Sequence, residues 1–381
     1  MGAALHPAGA GVKGQPALAL IAFFVATAVA AAQPISPSVA AEQAPRPSGI
    51  TEQPISPSVA GDPDIRFRDR VDVESVVVDA RVVDGAGRPI LGLTPSDFRL
   101  KVDGRAVPVQ SVSWVDDSAP PDPEATVAAG QAGAPLPPRG RLIVFFFQKD
   151  LESSRVMGFL QMLGRARKML DGLGEQDRVA VVSFDSHLEI WTDFTTDRAR
   201  LRRVLDRSIL FERVPLLGPG DAPSLVEHLE PGAGKRAAAP ETALLQLGEA
   251  LKELPGAKSL VLFGWGMGRW SPGVGVFLEN DYGPARRALV EGRVTVFALD
   301  VTSADYHTLE VGLEQVAEDT GGFYAKTHLF PGQALARLEH ALAGHYVLTF
   351  TKPDLPRGEH AIGLDLVRRK GSVLARPSYE G

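Results

Sequence analysis

The chain has 381 residues, 44% of them apolar, with a net charge of −6 and a pI near 5.8. That length is enough for two or three domains, and an acidic balance without a basic stripe excludes a dedicated nucleic-acid binder. The absence of cysteine excludes disulfides, thiolate catalysis, cysteine-held zinc and lipoprotein-type acylation, so stability rests on packing.

Lys13 precedes an apolar run over 16–30 (PALALIAFFVATAVA), followed by small residues to Ala32. This is the pattern of a secretory signal with cleavage after Ala30 or Ala32. The run is shorter than the roughly 20 residues of a membrane-spanning helix, although retention as an anchor is the alternative. The expectation is a protein exported to the periplasm or the medium, with no membrane span once the signal (1–32) is removed. Residues 33–64 follow as a spacer. QPISPSVA at 33–40 recurs at 53–60, and seven prolines in 33–63 predict an extended chain.

Strand signals begin at Ile65. The β-branched run 71–83 (VDVESVVVDARVV), a turn at 84–87, a strand at 99–102, the turn Asp103-Gly104 and a strand over 107–115 predict an antiparallel β-unit spanning 65–116. Residues 117–139 (Pro, Ala and Gly) read as a linker.

The period changes at Arg141. The fully apolar 142–147 reads as a strand of a parallel sheet covered on both faces. A helix is expected over 151–170 with Val156, Leu160, Leu163 and Leu170 on its buried stripe. Strands are predicted at 178–184, 187–194 (antiparallel), 259–263, 293–299 and 322–325. Helices are predicted at 197–208, 241–254, 283–291, 308–320 and 332–342. The alternation implies right-handed crossovers and a doubly wound, mostly parallel sheet over 140–343. Strands return at 345–351, 359–368 and 373–376. The terminal segment 344–381 is expected to pair with the N-terminal β-unit as a small sandwich into which the α/β domain is inserted.

Four stretches carry a family resemblance: 76–112 (VVVDARVVDGAGRPILGLTPSDFRLKVDGRAVPVQSV), 174–197 (GEQDRVAVVSFDSHLEIWTDFTTD), 241–251 (ETALLQLGEAL), and YVLTFT with the ending VLARPSYEG. Together with the element order they resemble a von Willebrand factor type A domain, and more closely the exported bacterial "VWFA-related" family best known from Acidobacteria. The resemblance covers roughly 65–381. It implies a Rossmann-like α/β fold and a metal-ion-dependent adhesion site, in which Asp-x-Ser-x-Ser at a strand end, a later Thr and a distant Asp hold Mg²⁺ or Mn²⁺ through oxygen.

The chain departs from that pattern. Gln148 stands at the first Asp, Asp150 and Glu152 at the two serines, and Trp265 at the distant Asp, while Thr242 matches the Thr. A second register starting at Asp150 keeps the i, i+2, i+4 spacing through Glu152 and Ser154. Asp185 and Asp300 could add carboxylates on the same sheet edge. Without an ion, Asp150 reads as the N-cap of the helix and Glu152 as a first-turn acid facing its dipole.

The leading expectation is a non-enzymatic, exported protein-binding module with a degenerate site and no cofactor. Its binding edge would be marked by Gln148, Asp185, Trp265, Trp270 and Asp300. The alternatives are an adhesion module holding Mg²⁺ or Mn²⁺ with Asp150, Glu152, Ser154 and Thr242, and an exported hydrolase using Asp185 or Asp300. Against the hydrolase, 264–268 (GWGMG) has no serine between its glycines. His187 and His307 are read as solvated loop residues.

Overall fold

A computed structural model describes residues 74–116, 140–218 and 223–381. The signal, the repeat-bearing spacer and the 117–139 linker lie outside them. The N-terminal β-unit forms β1 (Ser75–Val83), β2 (Phe98–Val102), β3 (Arg105–Val107) and β4 (Ser111–Asp116). Asp103-Gly104 turns β2 into β3, with Asp103 at φ +48° and Gly104 at +78°. Both central residues are therefore left-handed, as a two-residue hairpin of matching twist requires.

The α/β part opens with β5 (Leu142–Gln148), buried at every position. Next come α1 (Ser153–Met169), β6 (Arg178–Phe184), β7 (Leu188–Thr195) and α2 (Arg198–Arg203), which runs through a π turn, Val204–Ser208. A short helical turn, Ala233–Arg236, precedes α3 (Pro240–Lys252), and the chain continues as β8 (Lys258–Gly264), β9 (Arg269–Ser271) and β10 (Gly275–Phe277). The small β9–β10 hairpin lies between β8 and α4, a stretch for which the sequence predicts no strand. The part closes with α4 (Tyr282–Glu291), β11 (Val294–Asp300), α5 (Glu310–Asp319), β12 (Phe323–Lys326) and α6 (Pro331–Leu342).

The central sheet has the order β12-β11-β8-β5-β6-β7, parallel except for β7, which runs antiparallel to β6. The pleat of β5 divides the core. Leu142, Val144 and Phe146 face α3, α4 and α5 through Leu244, Leu247, Leu289 and Leu313. Ile143, Phe145 and Phe147 face α1, α2 and α6 through Phe159, Met162, Leu201 and Leu338. A strand covered on both faces reads as an unbroken apolar run.

The buried stripe of α1 differs from the expected one. Phe159, Met162, Leu163, Ala166 and Met169 are buried, while Leu160 is exposed. Helix α1 passes so close to the end of β11 that a Cβ on Gly158 would lie 1.8 Å from the Val301 carbonyl oxygen.

The last strands are β13 (Gly344–Thr351), β14 (Glu359–Leu366), β15 (Ser372–Ala375) and β16 (Ser378–Glu380). They pair with the N-terminal strands in two four-stranded sheets, β15-β1-β13-β4 and β16-β14-β2-β3. Val78 and Phe350 of the first meet Leu100, Val102 and Ile362 of the second. Polar bonds tie this layer pair to the α/β part. Buried Arg81 donates to the Ala341 carbonyl (2.8 Å) and to Thr295 Oγ1 (2.9 Å), and Arg293 pairs with Asp79. The described parts of the β-units and of the α/β segment fall in one compact unit, Asp69–Gly381.

Candidate binding edge at the C-terminal end of the sheet

The chain leaves β5 toward β6 on one side, while β8 flanks β5 on the other. Loops diverge at such a switch point and leave a crevice, the usual ligand position in open α/β sheets. The crevice is a cleft of about 590 Å³ lined by Leu151, Val156, Phe159, Leu160, Ile209, Leu210 and Trp265, with Lys149, Asp150, Asp185 and Ser186 as its polar wall.

Gln148, the last residue of β5, precedes Lys149 of the cleft wall. Its Nε2 donates to the Gly266 carbonyl (2.9 Å), and its Oε1 accepts from the Trp265 N–H (2.8 Å) and the Gly266 N–H (3.3 Å). A Cβ on Gly264 would lie 2.7 Å from that oxygen, so glycine is what lets the amide approach. A carboxylate at this position could not donate to the carbonyl. The amide thus serves as a staple between β5 and the loop after β8, and it is only 1% exposed.

Asp150 is not the helix N-cap expected from sequence. That position belongs to Glu152, whose side chain makes no capping bond. Asp150 Oδ1 instead accepts the Glu152 N–H (2.9 Å), and Oδ2 pairs with Arg155 Nη1 at 2.5 Å. The same Nη1 lies 3.1 Å from Glu152 Oε2, and Ser154 Oγ donates to Glu152 Oε1 (2.8 Å). The guanidinium carbon sits 4.0 Å from the Trp265 ring centroid. Burial works to raise the Asp150 carboxyl, but the Glu152 N–H and Arg155 outweigh it and hold the group below the usual carboxylate range. The two acids that sequence offers as metal ligands therefore share an internal cation.

Thr242 is placed elsewhere: its hydroxyl donates to Asp281 Oδ2 (2.6 Å). Asp185 accepts from Ser186 Oγ (2.9 Å) and pairs with Lys149 (3.2 Å), which also pairs with Glu189 (2.6 Å). Trp270 is 59% exposed on the β9–β10 hairpin. Gln148 and Asp300 are each 1% exposed and bond to the loops of the edge from inside.

Asp300 ends β11 in a second polar group. Its Oδ1 accepts the Thr302 N–H (2.9 Å); its Oδ2 lies 2.7 Å from His307 Nε2 and accepts the Tyr324 hydroxyl (2.7 Å). Glu310 Oε2 accepts the His307 N–H (3.3 Å) and pairs with Lys326 (2.8 Å). His307 is thus a member of a part-buried network, where the sequence reading has a solvated loop residue. A strand-ending Asp followed by His and then Glu three residues on, at a helix start, is the signal that would have found it.

No family model matches the chain, and no curated protein sequence does. Solved structures do align. An aerotolerance-related membrane protein from Bacteroides fragilis NCTC 9343, carrying multiple mutations to serines, is 14% identical over 54% of this chain and 98% of that one, with a TM-score of 0.35. The conserved hypothetical protein BatB from Bacteroides thetaiotaomicron is 13% identical over 53% and 98%, with a TM-score of 0.34. An uncharacterized membrane spanning protein from Vibrio fischeri is 18% identical over 53% and 97%, with a TM-score of 0.20. At these identities and scores the likeness assigns the chain to none of their families. Among the described residues, no helix is long and apolar enough to cross a membrane.

Proposed function

We propose that the chain is an exported, non-enzymatic protein-binding module of the von Willebrand A kind, which engages its partner at the C-terminal edge of the six-stranded sheet without a metal ion at the adhesion position. The observation that carries this reading is the Arg155 guanidinium set between Asp150 and Glu152 against Trp265. An ion there would need the oxygens that Arg155 uses. The adhesion alternative through Asp150, Glu152, Ser154 and Thr242 would also require Thr242 to leave Asp281. The apolar cleft beside Arg155, with Leu151 92% exposed at its mouth, supports a protein partner. The signal-like N-terminus supports export.

The test is site-specific photocrosslinking in cells expressing the full chain. A photoreactive residue at position 151 should give a discrete protein adduct, equally with and without EDTA, while one at position 252, on the last residue of α3, should not. No adduct at 151, or one that EDTA abolishes, would overturn the proposal.

A further inference from the structure

We propose that Asp300, His307 and Glu310 form a binding site for a single Zn²⁺ ion, separate from the adhesion position and independent of the partner-binding reading. Asp300 is the last residue of β11, His307 lies in the turn that follows, and Glu310 is the first residue of α5. One ligand atom from each lies within 4.8 Å of the others. Asp300 is 1% and Glu310 9% exposed, so solvation does not explain two carboxylates here.

The donor set selects the ion. Mg²⁺ and Ca²⁺ take all-oxygen shells, whereas one imidazole nitrogen with two carboxylate oxygens suits Zn²⁺. Three protein ligands leave a fourth tetrahedral position for water. The outer contacts suit it as well. The Thr302 N–H and the Tyr324 hydroxyl orient Asp300, and the His307 N–H orients Glu310. Bonds of this kind fix first ligands in zinc sites.

Lys326 pairs with Glu310 at 2.8 Å and would compete with the ion for that carboxylate. Lys326 has other holds: it donates to the Asp305 carbonyl and lies 5.8 Å from the Tyr306 ring centroid. It can therefore release Glu310 without being stranded.

The required movement is small. His307 Nε2 and Asp300 Oδ2 are 2.7 Å apart as a hydrogen-bonded pair. Two ligands about 2.1 Å from a tetrahedral zinc stand about 3.4 Å apart. Side-chain rotation can open that gap, with the ring proton carried on Nδ1 once Nε2 binds the ion.

The experiment uses the full chain, purified without an affinity tag and stripped with EDTA, titrated calorimetrically with zinc chloride. One ion should bind per chain, in the presence of millimolar Mg²⁺. His307→Gln and Glu310→Gln should each abolish binding while near-UV circular dichroism stays native. Tyr324→Phe should weaken it roughly tenfold. Lys326→Met keeps every ligand and removes the competing ammonium, so it should tighten binding, an effect that a purely structural network does not produce. The proposal is overturned by the absence of saturable one-to-one binding, by unchanged or weaker binding in Lys326→Met, or by binding that survives either ligand variant, whether or not it is lost in His187→Gln. Loss in His187→Gln would place the ion instead at His187, whose ring nitrogens lie 3.9 Å from Asp185 Oδ1 and 3.8 Å from Glu189 Oε1.

Discussion

The Arg155 guanidinium stacks on the indole of Trp265 at 4.0 Å while its Nη1 holds Asp150. This contact joins the start of α1 to the loop after β8 across the cleft. A double-mutant cycle with Arg155→Met and Trp265→Leu should return a coupling of about 0.5–1 kcal/mol, the size of a part-exposed cation–π contact. Urea unfolding of the four proteins measures it. Additive effects would show that the stacking holds nothing together.

Gln148 should be costly to shorten. Gln148→Ala orphans the Gly266 carbonyl and the Trp265 N–H, with an expected loss of about 2–4 kcal/mol. Amide exchange over 264–268 should accelerate in parallel. A loss under 0.5 kcal/mol would mean the staple is dispensable.

Lys258, buried at the start of β8, has its ammonium pushed down to about 8 by burial and by Arg293, against the opposing pull of Asp79. The unfolded chain keeps that proton up to about 10.5. Between the two values the unfolded state binds more protons, so stability rises with pH across that window, and the full penalty applies below it. Lys258→Met should stabilise the protein at pH 7 by about 1–3 kcal/mol, after loss of the bond to the Leu254 carbonyl. The advantage should shrink toward pH 10. Urea midpoints at the two pH values decide it, and a constant difference would refute it.

Acid should loosen one tie between the sandwich and α4. Bonds from Arg286 and Ser378 hold the Glu359 carboxyl down at about 2. Its contribution is complete above the unfolded value near 4.5 and fades as pH falls toward 2. Glu359→Gln should flatten the slope of melting temperature against pH between 4.5 and 2.5, and an unchanged slope would count against the tie.

The main chain of this fold was largely readable because its signals are local. The unbroken apolar 142–147 and the Asp103-Gly104 turn each specify their element within a few residues. Spacing alone places Leu160 on the buried stripe of α1, whereas burial goes to Phe159 and Met162, which meet the sheet. The β9–β10 hairpin, three residues to a strand, is too short for a period to register. At the candidate edge, the residues are legible in the sequence without their hydrogen-bond partners. Gln148 finds its loop more than a hundred positions away, and Arg155, which decides the fate of Asp150 and Glu152, bears no mark that separates it from other helix arginines. The Asp300–His307 pair lies close in sequence and could have been read.

Both neighbours of β1, namely β13 and β15, come from the final segment of the chain. During synthesis β1 emerges early and then waits while 84–343 are made, roughly 10–50 s at about 5–20 residues per second. Through that interval it has two bare edges and an apolar face, the features that template mispairing between chains. The sandwich is thus a late product of biosynthesis, closed only when the C-terminal strands arrive. A ribosome stalled before position 344 would release an α/β unit trailing an unpaired strand.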